Sequence, residues 1–371
     1  MKKLLTTSLI FLSASSCFAI EEITLPKESL NLDYISDVYY GKAENQKDIS
    51  PVFKLFTQKG LEFENSKINS VKASFVYSGQ LTFLQGKHQS SYLNHNFNVV
   101  EPMITVKFND NKSKAMFDIN LTRTIAGHPN SFTEKINQIF VSHDITPNQT
   151  ILIGQGDRIP NTFNGALSTM AQEMVLKSQL GRTIGDYRSV GIRNIASYKY
   201  LDYDIGLYDS TRFMRDFGQG LDFAGCILIK PFADVESDNL DFKFGAAYNI
   251  GEYYYNYNQY SLYSSYDNKN FHIKAEYANA DGYNNAVNSQ NKADGFYVTA
   301  SYDINPKFSL IGRYDYFTPN KAVSNTNTQE YTAGITYKPY KNMKIMLNYV
   351  RRNYSDKPDS NMLLFATRFI I

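Results

Sequence analysis

The sequence predicts an all-β transmembrane antiparallel β-barrel of about 16 strands, with one loop folded inward as a constriction. First, apolar and polar residues alternate at 271–277 and again at 296–302, as in strands with one face in water. Second, the chain starts with an export signal. Third, no apolar run of about 18 residues follows that signal, so membrane helices are excluded, whereas barrel strands need only alternate apolar residues.

The first residues have the pattern of a secretory signal peptide, predicted over residues 1–19. Lys2 and Lys3 precede an apolar stretch, and a small-residue segment ends at Ala19, where we expect cleavage. Lipidation of Cys17 is the alternative interpretation. Without the signal, Cys226 is the only cysteine, so no disulfide is expected.

Residues 20–68 do not alternate cleanly and are predicted to be an N-terminal periplasmic segment. The sequence leaves its role open between a tail, a trimer contact and an extra hairpin. The barrel itself is predicted over residues 69–371.

Composition narrows the class of protein. Lys plus Arg number 38 and Asp plus Glu 36, so no nucleic-acid partner is expected. A mean hydropathy of −0.39 is too polar for a helical membrane protein. No metal-binding or phosphate-loop motif occurs, and we expect no cofactor. Tyr and Phe are abundant, at 29 and 25, as in the aromatic girdles of barrels.

Sixteen strands are predicted, an even number as in single-chain bacterial barrels. They cover residues 71–84, 99–108, 114–123, 135–143, 149–158, 187–195, 198–208, 221–230, 240–250, 259–266, 271–280, 295–303, 307–317, 329–338, 343–352 and 362–371. Tight polar links such as 109–112 and 144–148 are predicted on the periplasmic side. Longer links at 85–98, 281–294 and 318–328 are predicted outside.

The longest interruption of the strand pattern spans about residues 159–186, between the fifth and sixth predicted strands. It shows no alternation and is predicted to fold into the lumen as the constriction loop. Residues 168–180 contain enough helix-forming residues to predict a short helix within it.

Three segments around this loop resemble one known family. They are GQGDRIP at 154–160, QLGR at 179–182 and GIR at 191–193, and they are similar to the phosphate-selective porin O and P family over roughly residues 151–230. The resemblance implies a sixteen-stranded, trimeric channel that passes small anions. No dense run of Lys or Arg marks the constriction, so the phosphate preference of that family is not carried over.

Alternation also predicts which charged residues face the lumen. They are Lys72, Lys114, Asp118, Asp222, Lys230, Asp241, Lys243, His272, Lys274, Glu276, Asp303, Arg313, Asp315, Lys344 and Arg368. A wall of mixed sign gives weak ion selectivity. We therefore predict an outer-membrane porin of Gram-negative cells that is surrounded by lipid, and the family resemblance implies that it is a homotrimer. It would be a passive diffusion channel for small hydrophilic solutes with mild anion preference.

Seven cations are the candidate residues of the solute path, because guanidinium and ammonium groups pair with carboxylate and phosphate oxygens. They are Arg158, Lys177, Arg182, Arg188, Arg193, Lys274 and Arg313. The competing interpretation is that Asp157, Glu173 and Asp186 pair with such cations and merely hold the loop to the wall.

Two other classes remain as alternatives. A hydrolase active at the barrel rim needs a histidine beside a nucleophile and an orienting group, and no such set is evident, so no enzyme is predicted. A closed anchor or adhesin barrel is disfavoured because sixteen strands enclose a water-filled space unless a plug fills it. Tyr257 and residues 253–255 are interpreted as part of the outer aromatic girdle, with sugar stacking as the alternative.

Overall fold

The structure is a computed structural model. It describes residues 61–65, 68–86, 89–109, 112–123, 132–185, 187–210, 218, 220–233, 241–253, 255–283 and 292–370. The predicted signal peptide, most of the predicted segment 20–68, and Asp186 lie outside the described residues.

Within the described residues, sixteen strands close into one antiparallel barrel, preceded by a five-residue strand β1 (Leu61–Asn65) that pairs with the start of β2. The barrel strands are β2 (Ile68–Gly86), β3 (Gln89–Phe108), β4 (Ser113–Ile119), β5 (Ile136–Thr146), β6 (Gln149–Gln155), β7 (Val190–Ser197), β8 (Leu201–Asp209), β9 (Leu221–Ile229), β10 (Asp241–Tyr253), β11 (Tyr255–Asn268), β12 (Phe271–Asp281), β13 (Lys292–Asn305), β14 (Phe308–Thr318), β15 (Thr328–Tyr340), β16 (Met343–Tyr354) and β17 (Ser360–Ile370). Strand β17 pairs with β2 and closes the cylinder.

The predicted fold class is confirmed, and each predicted strand has its counterpart. One predicted outer loop is wrong. Residues 85–98 lie mostly within β2 and β3, whose register continues from Leu84↔Tyr92 to Gly79↔Phe97. Asn94, His95 and Asn96 are all exposed there. Strand β3 leaves the alternating pattern here because its consecutive residues 93–96 are all exposed, which is why the sequence pattern suggested a loop.

The two faces of the wall have opposite chemistry. On the outer face, large apolar side chains such as Val298, Leu310 and Ile335 are exposed. On the inner face, their neighbours in sequence Thr299, Ser309 and Thr336 are buried. With no free sheet edge, every strand of such a wall finds its hydrogen-bond partners within the barrel.

Aromatic residues form belts at both ends of the outer face. Near the ends of the tight turns, Phe308 stacks on Tyr337 with ring centroids 4.5 Å apart. Towards the other end, Phe296 lies 5.9 Å from Tyr316. Tyr257 does not join these belts. It points inward, is buried, and its hydroxyl donates to Asp222 at 2.9 Å, so its assignment to the outer girdle is wrong.

Helical structure in the described residues is confined to short pieces: α1 (Phe132–Lys135), α2 (Phe163–Ala166) and a π-helical turn at Gly181–Gly185. None of the described helices is long and apolar enough to cross a membrane. The loop between β6 and β7, residues 156–189, enters the lumen. We call it the inward loop.

The helix predicted at 168–180 is wrong, because residues 169–171 form turns and 173–176 form bends. Polar side chains of the wall bind the backbone of this segment, and these bonds take the place of helical ones.

Candidate functional site: the constriction

The inward loop packs its apolar side chains against widely separated parts of the wall. Met170 lies with Val76 and Met103 of β2 and β3, and Val175 packs in a cluster from β16 and β17. Leu180 and Ile184 contact a cluster from β12 to β14. The loop therefore crosses the lumen, and its position depends on burial against several strands at once.

Wall side chains accept hydrogen bonds from the backbone of the loop. Glu276 of β12 accepts from the N–H groups of Phe163 and Asn164 at 2.7 and 2.9 Å. Asn348 of β16 accepts from the N–H of Val175 at 2.8 Å. Asp315 of β14 accepts from the N–H of Gln179 at 3.1 Å. Backbone groups that no helix satisfies thus find buried partners in the wall.

Wall cations donate to the loop carbonyls. Arg368 of β17 donates to the carbonyl of Val175 at 2.7 Å. Arg313 of β14 donates to the carbonyls of Leu176 and Lys177 at 2.9 and 3.1 Å. Lys344 of β16 also donates to the carbonyl of Met170. Charge-assisted bonds of this kind are stronger than neutral ones, so β14 to β17 hold the loop firmly. We call these four strands the clamp wall.

Glu330 of β15 is the centre of the clamp wall. Its carboxylate is fully buried and pairs with Arg182 of the loop at 2.8 Å. It also pairs with Arg313 at 3.3 Å and with Arg352 at 2.5 Å. Three guanidinium groups thus share one carboxylate, and Arg182 is used to fix the loop to the wall.

A second ion cluster lies where the loop leaves β6. Asp157 pairs with Arg158 at 3.2 Å and with Arg188 at 3.1 Å. Burial alone would raise the pKa of the Asp157 carboxyl, but the two guanidinium groups beside it hold that pKa below its ordinary value. Arg193 of β7 donates to the backbone carbonyl of Asp157 at 3.1 Å and pairs with Asp204 of β8. This cluster closes the base of the loop.

A cavity remains between the loop and the strands β7 to β14. Its polar and charged lining comprises Asp157, Arg158, Thr162, Asn164, Gln172, Glu173, Lys177, Arg193, Asp202, Asp204, Lys243, Ser265, Lys274, Thr299 and Arg313. Its aromatic and apolar lining includes Phe163, Leu176, Tyr203, Leu228, Tyr263 and Tyr297. We call it the constriction cavity.

One row of the cavity wall alternates cations with hydroxyl groups. The register pairs Lys243 with Ser265, Ser265 with Lys274, Lys274 with Thr299, and Thr299 with Arg313. All five side chains line the cavity. Because neighbouring strands lie about 4.8 Å apart, the cations follow one another at roughly 10 Å. We call this set the cation row.

The adjacent inward row carries the opposite charge. It runs from Tyr263 through Glu276, Tyr297 and Asp315 to Glu330. Its three carboxylates bind the loop backbone or the guanidinium groups described above. The acidic row is therefore used to hold the loop, whereas the cation row faces the cavity.

The partners of the two lysines in the cation row differ. Lys274 pairs with Glu173 of the loop at 2.8 Å. Lys243 pairs with Asp241 at 2.7 Å, and the Asp241 side chain is 52% exposed. An ion pair with an exposed carboxylate is weakened by water and salt, so Lys243 is well placed to exchange that partner for a solute.

Of the seven cations predicted for the solute path, the structure places five on the constriction cavity: Arg158, Lys177, Arg193, Lys274 and Arg313. Lys177 also donates to the carbonyl of Gly165 at 2.6 Å within the loop. Arg182 and Arg188 lie in the two ion clusters instead.

The seven residues predicted for the solute path do not include Lys243, Ser265 and Thr299 of the cation row. Lys243 was predicted only as a lumen residue. The cross-strand register that joins these three residues to Lys274 has no signal in the sequence of any one strand.

The structure is similar to solved outer-membrane channels. It matches the outer membrane channel DcaP of Acinetobacter baumannii at 13% identity and a TM-score of 0.59, covering 85% of this chain and 100% of that one. It matches an anion-selective porin from Comamonas acidovorans at 11% identity and a TM-score of 0.59, and the match covers 81% of this chain and 99% of that one. A trimer form of OmpT from Vibrio cholerae matches at 10% identity and a TM-score of 0.51, and the match covers 81% of this chain and 99% of that one. At such identities the likeness establishes the fold. No curated protein matches the chain in sequence.

With the barrel and its inward loop, a family match over residues 228–369 identifies the protein as an outer-membrane porin. These residues match the model of the phosphate-selective porin O and P family. The resemblance predicted from the sequence is thereby confirmed. The matched residues, however, lie at the end of β9 and in β10 to β17, and they overlap the stretch 151–230 that carries the motifs only at 228–230.

Proposed function

We propose that this porin is a passive diffusion channel with a mild preference for small anions, and that the constriction cavity sets this preference. The observation that carries the proposal is the cation row. Its three cations line the cavity, and the carboxylates of the neighbouring row are bound to the inward loop. Arg313 and Lys274 also contact the loop, so Lys243 is the cation of the row whose ion pair is with an exposed wall carboxylate. The matched family is described as phosphate-selective and the Comamonas porin as anion-selective, and both descriptions support the same interpretation.

The charge balance of the lining explains why the preference is mild. Six cationic and four acidic side chains line the cavity. A wall of one sign would strongly exclude ions of that same sign, whereas a mixed wall with a small positive excess only biases the flux towards anions. An anion passing along the row would exchange water for ammonium, guanidinium and hydroxyl donors in turn.

Reversal potentials across a planar bilayer under a KCl gradient test the proposal. The unmodified channel should favour chloride over potassium. The double variant Lys243→Gln with Lys274→Gln should lose most of that preference. Lys72→Gln removes one positive charge from β2, outside the cavity lining, and serves as the matched control. Cation preference in the unmodified channel would refute the proposal.

We further propose that the protein is a homotrimer whose contact surface is the sector of short strands. Strands β4, β6 and β7 have 7, 7 and 8 residues, fewer than the roughly 9 to 11 that cross a bilayer. If a second copy covered this sector, its short strands would not have to span the full thickness of the bilayer. Lipid would then contact the longer strands. Substitution of the outward-facing Ile192 by Arg should yield monomers in size-exclusion chromatography with light scattering. Ile335→Arg on β15 is the control.

We propose a channel rather than a rim hydrolase. The lining residues of the constriction cavity include no histidine, and Ser265 stands between two lysines in the register. A histidine-based set of nucleophile, base and orienting group is therefore missing from these lining residues. Purified protein should show conductance steps in a bilayer and no turnover of lipid or peptide substrates; turnover without conductance would favour the hydrolase.

A further inference from the structure

The constriction cavity has an apolar corner beside the first cation of its row. Phe163 of the inward loop stacks on Tyr263 of β11, with ring centroids 4.5 Å apart and the planes 18° from parallel. Leu228 of β9 packs in the same cluster. The ring of Phe163 fits because position 245 is glycine. A Cβ there would lie 3.0 Å from that ring and 2.3 Å from the carbonyl oxygen of Ile227.

The register places this corner next to an anion-binding pair. Gly245 is paired with Tyr263, and two residues further along the same strands Lys243 is paired with Ser265. Two residues of a strand span about 7 Å. Phe163, Leu228, Tyr263, Lys243 and Ser265 all line the one cavity. Flat apolar surface and an ammonium–hydroxyl pair therefore face the same space.

We propose that this corner binds organic monocarboxylates that carry a flat or cyclic apolar body, with benzoate as the model solute. The inference rests on the proposed anion preference and names the class of anion. The ring would lie against Phe163, Tyr263 and Leu228, and the carboxylate would accept bonds from Lys243 and Ser265.

Two contributions distinguish this class from inorganic phosphate. Removing the ring from water is favourable in proportion to its apolar area, and the stacked ring pair offers aromatic contact. Phosphate has charge but no apolar surface, so the corner gives it nothing beyond the ammonium and the hydroxyl. Acetate has the carboxylate but little apolar area, so it should resemble phosphate in affinity.

Block of chloride current through single channels tests the proposal on the unmodified protein. Benzoate and cyclohexanecarboxylate should reach half-block at concentrations about tenfold lower than acetate or phosphate. Benzamide, which has the same ring but no charge, should not block at those concentrations. Phosphate or acetate blocking as well as benzoate would overturn the proposal, and so would equal block by benzamide.

Two variants separate the parts of the site. Leu228→Ser should remove the advantage of benzoate over acetate while the chloride preference stays. Lys243→Gln should weaken block by benzoate and acetate alike, and Lys72→Gln should leave the benzoate advantage intact. A benzoate advantage that survives Leu228→Ser contradicts the assigned corner. An unmodified channel without anion preference refutes the proposed function itself, which the reversal potential measures separately.

Discussion

Two walls of the same barrel treat their charged residues differently. On the clamp wall, β14 to β17, the charged groups of Glu330, Lys344 and Arg368 bind the inward loop or pair with other charged residues of the wall. On the side of β10 and β11, Lys243 and Ser265 face open cavity. Both walls follow the same alternation of inward and outward residues. The difference teaches that the partner across the lumen, and not the charge itself, decides whether a lumen residue supports structure or meets solute.

The largest expected effect comes from removing the carboxylate of Glu330, the centre of the clamp wall. Glu330→Gln leaves the guanidinium groups of Arg182, Arg313 and Arg352 without their shared carboxylate. Breaking a buried ion pair from one side costs roughly 3 to 5 kcal/mol, so we expect the loop to leave the wall. Single-channel conductance should rise severalfold, and the midpoint of thermal unfolding should fall.

A matched control for that variant is Asp281→Asn. Asp281 pairs with Lys292 at 3.2 Å, and both side chains are more than half exposed. Exposed pairs contribute about 1 kcal/mol or less, so conductance and unfolding should stay unchanged. If the two variants changed conductance and unfolding equally, the ion cluster around Glu330 would not be what holds the loop to the clamp wall.

One substitution made on each wall sharpens the comparison. Lys344→Gln removes a donor to the carbonyls of Met170 and Gln172, so it should increase conductance and current noise. Lys243→Gln should instead lower the permeability ratio of chloride to potassium by roughly two- to fivefold. Conductance in several salts and reversal potentials measure both properties. If each variant changes both properties equally, the division of roles is wrong.

The smallest expected effect is a pH dependence at the junction of the two walls. Burial raises the pKa of the Glu173 carboxyl to about 7, although Lys344 opposes this rise. Below pH 7 the carboxyl takes up a proton, and the pair with Lys274 loses its negative partner. The cavity then gains positive charge, so chloride preference should be greater at pH 5.5 than at pH 8.5.

Glu173→Gln is the control for this pH effect. The amide does not titrate, so the variant should keep a nearly constant reversal potential between the two pH values. A pH dependence that persists in this variant would assign it to another group.

The prediction of the strands succeeded where the local pattern is complete. In β12 to β17 each strand alternates cleanly, so its place can be predicted from a few neighbouring residues. In the hairpin of β2 and β3, consecutive residues of β3 are exposed to solvent, so the alternation disappears. For this reason the predicted strands 71–84 and 99–108 are shorter than the strands of the structure. For the inward loop, its length and lack of alternation predicted the path into the lumen, but not its irregular backbone.

The sequence alone determined the barrel, its alternating faces, the loop that interrupts them and the sets of residues that point inward, because each depends on local spacing. Only the tertiary structure decided which inward residues meet. Arg182 and Glu330 are 148 residues apart in the chain and pair in space. The cation row exists through the register of five strands. Register and loop docking depend on closure of the whole cylinder, and no single segment contains that information.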